Sequence, residues 1–131
     1  MSVERKLFID GKPRGTGRMM PVLSPYDGHE VARVHLGGEP EMEEATQAAL
    51  RGFKAMSALS RGQRAEILRQ VAEGVQRRRD EIAATMTEEM GKPIQYARAE
   101  VARCVTTFTL ASEEAKRWTG ELVPVDIEAH T

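Results

Sequence analysis

Met90-Gly91-Lys92-Pro93-Ile94 decides how the second half of this 131-residue chain is built. Gly91 stands where a helix should stop, because its missing Cβ permits the left-handed conformation of a C-terminal cap. Pro93 cannot donate into a continuing helix, yet it suits the first turn of a new one. A stop and a start therefore lie two residues apart. The five residues join two long amphipathic segments, and the second carries Glu100-Val101-Ala102-Arg103 on its second and third turns.

Downstream of the joint, Ile94, Ala97, Val101, Cys104, Phe108, Ala111, Ala115 and Trp118 recur at three- and four-residue steps. This predicts one helix roughly 37 Å long at 1.5 Å per residue. Trp118 reads as a core anchor and Gly120 as the closing residue. Upstream, Ser60 suits the N-cap of a helix whose stripe is Ala65, Leu68, Ala72, Val75, Ile82 and Met86. Arg79 fills the one polar slot in that register, so Arg77-Arg78-Arg79-Asp80 reads as a bend at which Asp80 restarts the helix. A further helix over 41–57 places Met42, Ala45, Ala49, Phe53 and Met56 on one face, with acids in its first turns as the helix dipole favours.

Residues 1–36 read as β. Asp10-Gly11 after Leu7-Phe8-Ile9 signals a tight turn, and Arg14-Gly15-Thr16-Gly17-Arg18 reads as a flexible loop. Segments 20–24 and 30–36 flank Pro25-Tyr26-Asp27-Gly28 as a hairpin whose second strand alternates apolar and polar residues. Gly37-Gly38-Glu39-Pro40 ends the β region, and 121–127 turns extended again. The fold class is therefore α+β: N-terminal β-hairpins, three to four long helices and a C-terminal strand. Small residues at every other stripe position of the last helix invite close approach by other elements. Three helices and two small hairpins do not offer enough surface to cover every apolar position. The last strand has no visible partner, which leaves an open edge.

Composition narrows the function. Nineteen basic and 20 acidic residues give a net charge of −1, which argues against a nucleic-acid or membrane-surface role. The single cysteine, Cys104, rules out an internal disulfide and fits a reducing cytoplasm. The apolar triplet near the N-terminus is too short for a signal-peptide core, and no apolar run approaches the ~20 residues of a membrane span.

Chemistry is sparse. Gly11-Lys12-Pro13-Arg14-Gly15-Thr16-Gly17 is basic and glycine-rich but lacks the following helix that a phosphate loop needs. His29, His35 and His130 are scattered away from Cys104, so no metal-ligand spacing exists. Cys104 sits on the apolar stripe between Val101 and Phe108, with Arg103 about 100° away around the helix, and reads as packing rather than as a nucleophile. Glu88-Glu89 and Arg77-Arg78-Arg79 read as solvated helix ends. From these residues alone the chain is a soluble α+β protein without an assembled active site.

The joint and its surroundings resemble the aldehyde dehydrogenase superfamily of NAD(P)-dependent enzymes, over nearly the whole chain. Leu7-Phe8-Ile9-Asp10-Gly11-Lys12 is similar to the family's opening strand. Val22 to Val34 is similar to its "x-N-P-x-T-G-E-x-I-A-x-V" hairpin, with Ser24 and Asp27 as departures. Ala45 to Phe53 resembles "A-x-x-A-A-x-x-A-F", Arg61 to Leu68 resembles "R-x-x-x-L", and Glu88 to Pro93 resembles "E-x-G-K-P", with Ala97, Glu100 and Val101 at the expected spacing. Each piece is weak alone; their order makes the match specific.

The resemblance implies an N-terminal segment of an enzyme that oxidises an aldehyde to a carboxylic acid, with NAD or NADP as acceptor, in a homodimer or homotetramer. The family's catalytic cysteine, general-base glutamate, oxyanion asparagine and cofactor-binding glycine loop all follow the region matched, so no catalytic or cofactor-binding residue is assigned. Residues 1–120 correspond to part of the cofactor-domain region, within the parent's α/β fold, and 121–131 to the start of an oligomerisation arm. Glu100-Val101-Ala102-Arg103 is similar to members that oxidise phosphorylated or carboxylated aldehydes, such as lactaldehyde and non-phosphorylating glyceraldehyde-3-phosphate dehydrogenases. Arg103 is accordingly the expected contact for an anionic substrate end, a role suited to a planar guanidinium fork. Some members also bind a monovalent cation near the residues matching Val22 and Glu89. The rival expectation is a free-standing helical interaction module without catalysis.

Overall fold

The computed structural model describes residues 3–124. Five strands precede four helices: β1 (Val3–Arg5), β2 (Leu7–Ile9), β3 (Lys12–Arg14), β4 (Met19–Leu23), β5 (Glu30–His35), α1 (Glu39–Ser57), α2 (Arg61–Arg77), α3 (Arg79–Met90) and α4 (Ile94–Arg117). The α+β architecture is the one the sequence predicts.

Asp10 and Gly11 both take positive φ, 53° and 73°, which closes β2 against β3 with Leu7 opposite Arg14. Two left-handed residues in succession match the twist of the flanking strands, hence the aspartate–glycine pair. The second sheet has the order β1-β5-β4. Here β4 runs antiparallel to β5, with Met19 opposite His35, and β1 runs parallel to it, with Val3 opposite Ala32. The central strand buries Ala32 on one face and His35 on the other, so simple alternation does not describe it. The His35 face is closed by the 14–18 loop, which is fastened rather than flexible. The Thr16 amide donates to His35 Nδ1 at 2.8 Å, and Thr16 Oγ1 lies 2.9 Å from both the Arg18 and Leu36 carbonyls, which share its single proton.

The helical layer is built on alanine. Ala65, Ala72, Ala83, Ala97 and Val101 are buried where α2 and α3 pack on α4, and no large side chain among the described residues is fully enclosed. Methyl-sized contacts let helix axes approach closely, but each buried carbon contributes only ~0.8 kcal/mol. Ser112 adds a directional tie: its Oγ donates to the Ala65 carbonyl at 2.8 Å, wholly buried between α4 and α2. Ser60 caps α2 by accepting from the Gln63 amide, and the Gln63 side chain returns the bond to the Ser60 amide. The expected bend falls on Arg78 (φ −103°, ψ 14°), and the helix restarts at Arg79 rather than Asp80.

The apolar stripe of α1 is left largely uncovered, in line with the expected shortage of covering surface, and two other expectations are corrected. Burial on α1 falls on Ala48, while Met42 and Phe53 are about 70% exposed. The reason is that α1 is tethered mainly by exposed ion pairs to the β2–β3 hairpin, Arg14 to Glu44 at 3.0 Å and Arg51 to Asp10 at 3.2 Å, and these do not cover its apolar stripe. Next, α4 ends at Arg117, and Trp118, its extended C-cap, is 77% exposed instead of anchoring a core. Finally, the described part of the expected C-terminal strand, to Pro124, forms no strand, and the remainder lies outside the described residues.

The joint folds as its chemistry requires. Gly91 takes φ +67°, and its amide donates to the Thr87 carbonyl at 2.9 Å. The hairpin turn packs against it so closely that a Cβ on Gly91 would lie 2.8 Å from Pro25 Cγ. Gly91→Ala should therefore combine left-handed strain of ~1–2 kcal/mol with that clash. Urea unfolding should show a loss of stability that Pro25→Ala relieves only in part, since the backbone strain remains.

Candidate functional site

The residues with chemical potential collect around the joint. Gly91 turns the chain, Pro93 accepts the Tyr96 and Ala97 amides to start α4, and Lys92 projects between them. Its Nζ meets Glu100 Oε2 at 2.5 Å, from the second turn of α4. The other carboxylate oxygen, Glu100 Oε1, accepts from Arg103 Nη2 at 3.3 Å. Glu100 is held below the usual carboxylate range, first by the Lys92 hydrogen bond and against the opposing effect of burial. Glu100 and Arg103 line a groove of about 420 Å³ between α4 and the α2–α3 pair, with Val75, Ile82 and Met86 on the opposite wall. Cys104 lines the same groove, half-buried beside Val101.

Arg103 itself is open, with 74% of its side chain exposed. Glu100 is the guanidinium's only partner among the described residues. Its remaining donors face outward and are free to meet an oxyanion.

On the far side of the joint, the β4–β5 turn clasps the end of α3. His29 Nδ1 lies 2.5 Å from Asp27 Oδ1, and His29 Nε2 lies 3.5 Å from Glu88 Oε2. The Asp27 hydrogen bond raises the His29 pKa above its ordinary 6.5, aided by the Glu88 charge, while the same bond lowers the Asp27 pKa below 3.8. Asp27, a departure from the family's hairpin pattern, is thus half of this clasp. Glu89 lines a separate surface cleft with Arg5, Arg78 and Glu81. In the arginine triplet, Arg78 pairs with Glu81 at 2.6 Å and Arg79 with Asp80 at 3.6 Å, both exposed. No cluster of histidine, cysteine or acidic residues among those described could hold a metal ion.

Two constraints had no sequence signal. Ser112 is one of several hydroxyl residues on α4, with Thr106, Thr107 and Thr109, and nothing local marks it as the cross-helix donor. His35 is a polar residue at a strand end, and its bonds to Thr16 and to Glu4 Oε1 at 2.9 Å depend on the fold.

The aldehyde dehydrogenase family model matches residues 12–131. The chain belongs to that family. Aspartate-semialdehyde dehydrogenase 1 of Pseudomonas canavaninivorans is 40% identical over 105 residues, 80% of this chain and 22% of that protein. Aldehyde dehydrogenase 21 of Physcomitrella patens, solved with its reaction product succinate, superposes with a TM-score of 0.93 at 34% identity over 98% of this chain and 27% of the other. Lactaldehyde dehydrogenase of Escherichia coli gives a TM-score of 0.91 at 29% identity with the same coverage. The chain thus spans about a quarter of the length of these family members. No helix among its described residues is long and apolar enough to cross a membrane.

The clasp gives this aldehyde dehydrogenase chain a defined pH response. A raised histidine pKa stabilises the fold fully below 6.5 and is lost as pH climbs through the folded value. A lowered aspartate pKa stabilises fully above 3.8 and is lost as pH falls through the folded value. The contribution is therefore complete between 3.8 and 6.5. Denaturant midpoints measured across pH should decline above 6.5 in the parent sequence, and the decline should be shallower in His29→Gln.

Proposed function

We propose that this chain is the N-terminal segment of an NAD(P)-dependent aldehyde dehydrogenase that converts an anionic aldehyde to the carboxylic acid. The observation that carries this reading is the family match over residues 12–131 by a chain spanning a quarter of its relatives' length. On this reading residues 121–131 begin the arm through which the parent enzyme forms a dimer or tetramer.

The described residues do not themselves fit the cofactor. The glycine-rich stretch is a hairpin turn and a loop whose Thr16 amide already serves His35, and a strand rather than a helix N-terminus follows. The reaction's chemical steps therefore belong to the remainder of the parent enzyme. This chain's own contribution is to present α4 and Arg103.

Arg103 supports an anionic substrate class. It is an exposed guanidinium at the rim of an apolar-walled groove, with most of its donors unused. A carboxylate is part of the succinate that the moss enzyme releases and of the semialdehyde named for the Pseudomonas enzyme.

Two measurements test the reading. The 131-residue chain alone should show no aldehyde-dependent NAD(P)H formation and no saturable heat on titration with NAD or NADP; turnover by this chain would overturn the segment assignment. In the longer enzyme, Arg103→Ala should raise KM for a carboxylate-bearing aldehyde about tenfold, as expected for losing a charge-assisted hydrogen bond of ~1.5–3 kcal/mol. An unchanged KM for that substrate would remove Arg103 from the site.

A further inference from the structure

Arg103 has a competitor built beside it. Glu100 lies one turn before it on α4, close enough to take the guanidinium as its own ion-pair partner and to repel an incoming anion. Two features of the geometry weaken that competition. The Arg103–Glu100 contact is 3.3 Å, outside the ~2.7–2.9 Å of a well-formed charge-assisted bond. The Lys92–Glu100 contact is 2.5 Å and better shielded, with side-chain exposures of 25% and 35% against 74% for Arg103. Attraction between charges strengthens as water is excluded, so Glu100 is committed to Lys92 first. The lysine is also held in place at low entropic cost. It stands between Gly91, fixed by its left-handed conformation and by Pro25, and Pro93, which begins α4.

We propose that Lys92 is a specificity-determining positioning residue: by occupying Glu100 it leaves the Arg103 guanidinium free for a substrate anion. The proposal rests on the reading of Arg103 as the substrate-anion contact and adds to it the group that makes the arginine available. Lys92 acts through Glu100 and touches no substrate. The joint thus has a role beyond ending one helix and starting another.

The test compares kcat/KM for a carboxylate-bearing aldehyde with that for an uncharged aldehyde of similar length, in the longer enzyme. With Lys92→Met, Glu100 turns to Arg103, and the anionic-to-neutral ratio should fall about fivefold, chiefly through KM for the anionic aldehyde. Adding Glu100→Gln to Lys92→Met should restore the ratio, which repair of a folding defect would not do. Glu100→Gln alone is the second, independent variant and should raise the ratio, because the competing carboxylate is gone. An unchanged ratio in Lys92→Met, no recovery in the double variant, or a lower ratio in Glu100→Gln would each overturn the proposal. If these occur while Arg103→Ala still lowers the ratio, Arg103 keeps its role and only Lys92 loses its own. If Arg103→Ala leaves the ratio unchanged, both fail together.

Discussion

A single peptide unit in the left-handed region, at Gly91, sets the course of everything after it. An L-residue resists that conformation by roughly 1–2 kcal/mol, whereas glycine enters it freely. Because α3 stops there and Pro93 starts α4 at once, the angle between the two helices is fixed within three residues. Three other contacts converge on the same spot. Pro25 closes over Gly91, His29 reaches Glu88 at the end of α3, and Lys92 crosses to Glu100. The β-hairpin tip and both helix ends are thereby gathered around one turn of backbone.

The contrast between this crowded joint and the sparse interior explains much of the molecule. Where α2 and α3 meet α4 the buried residues are alanines, one valine and one serine. Such a seam fixes distance well and supplies little apolar free energy. Meanwhile Met42, Phe53 and Trp118 stand in the open, and α1 is attached mainly through surface ion pairs, each typically worth less than ~1 kcal/mol. A chain that matches family members along a quarter of their length, with apolar side chains such as Met42, Phe53 and Trp118 facing outward, has the surface distribution of one layer in a larger body.

What was legible in the sequence was the chemistry that acts over a few residues. Asp10-Gly11, Ser60 and Gly91 each answer a local backbone requirement, and each takes the predicted conformation. The stripes of α2, α3 and most of α4 were also legible, because helical periodicity survives whatever packs against it. Periodicity does not say whether a partner is present: the stripe on α1 marks one face, and Met42 and Phe53 on it stand exposed. The end of α4 differs from the sequence reading because Trp118 continues the stripe although none of the described residues encloses it. Ser112 and His35 were invisible because their partners lie 47 and 19 residues away. At the site, spacing placed Arg103 on α4, and the family resemblance gave it a role. That Lys92 shares its counter-ion needed coordinates.

The alanine seam carries a consequence for how this segment can change over evolutionary time. An interior of large side chains is damaged by deletion, since trimming leaves cavities, and it can drift through swaps of similar volume. This one has almost nothing to trim. Ala65, Ala83 and Ala97 show no exposed surface, so nearly any substitution there adds atoms to a space already full, at a typical cost of ~1–3 kcal/mol. Its tolerance is one-sided. The outward faces are held only by whatever covers them and can co-vary with that covering surface, while the spacing between α2, α3 and α4 is locked by the smallest side chains that still favour a helix.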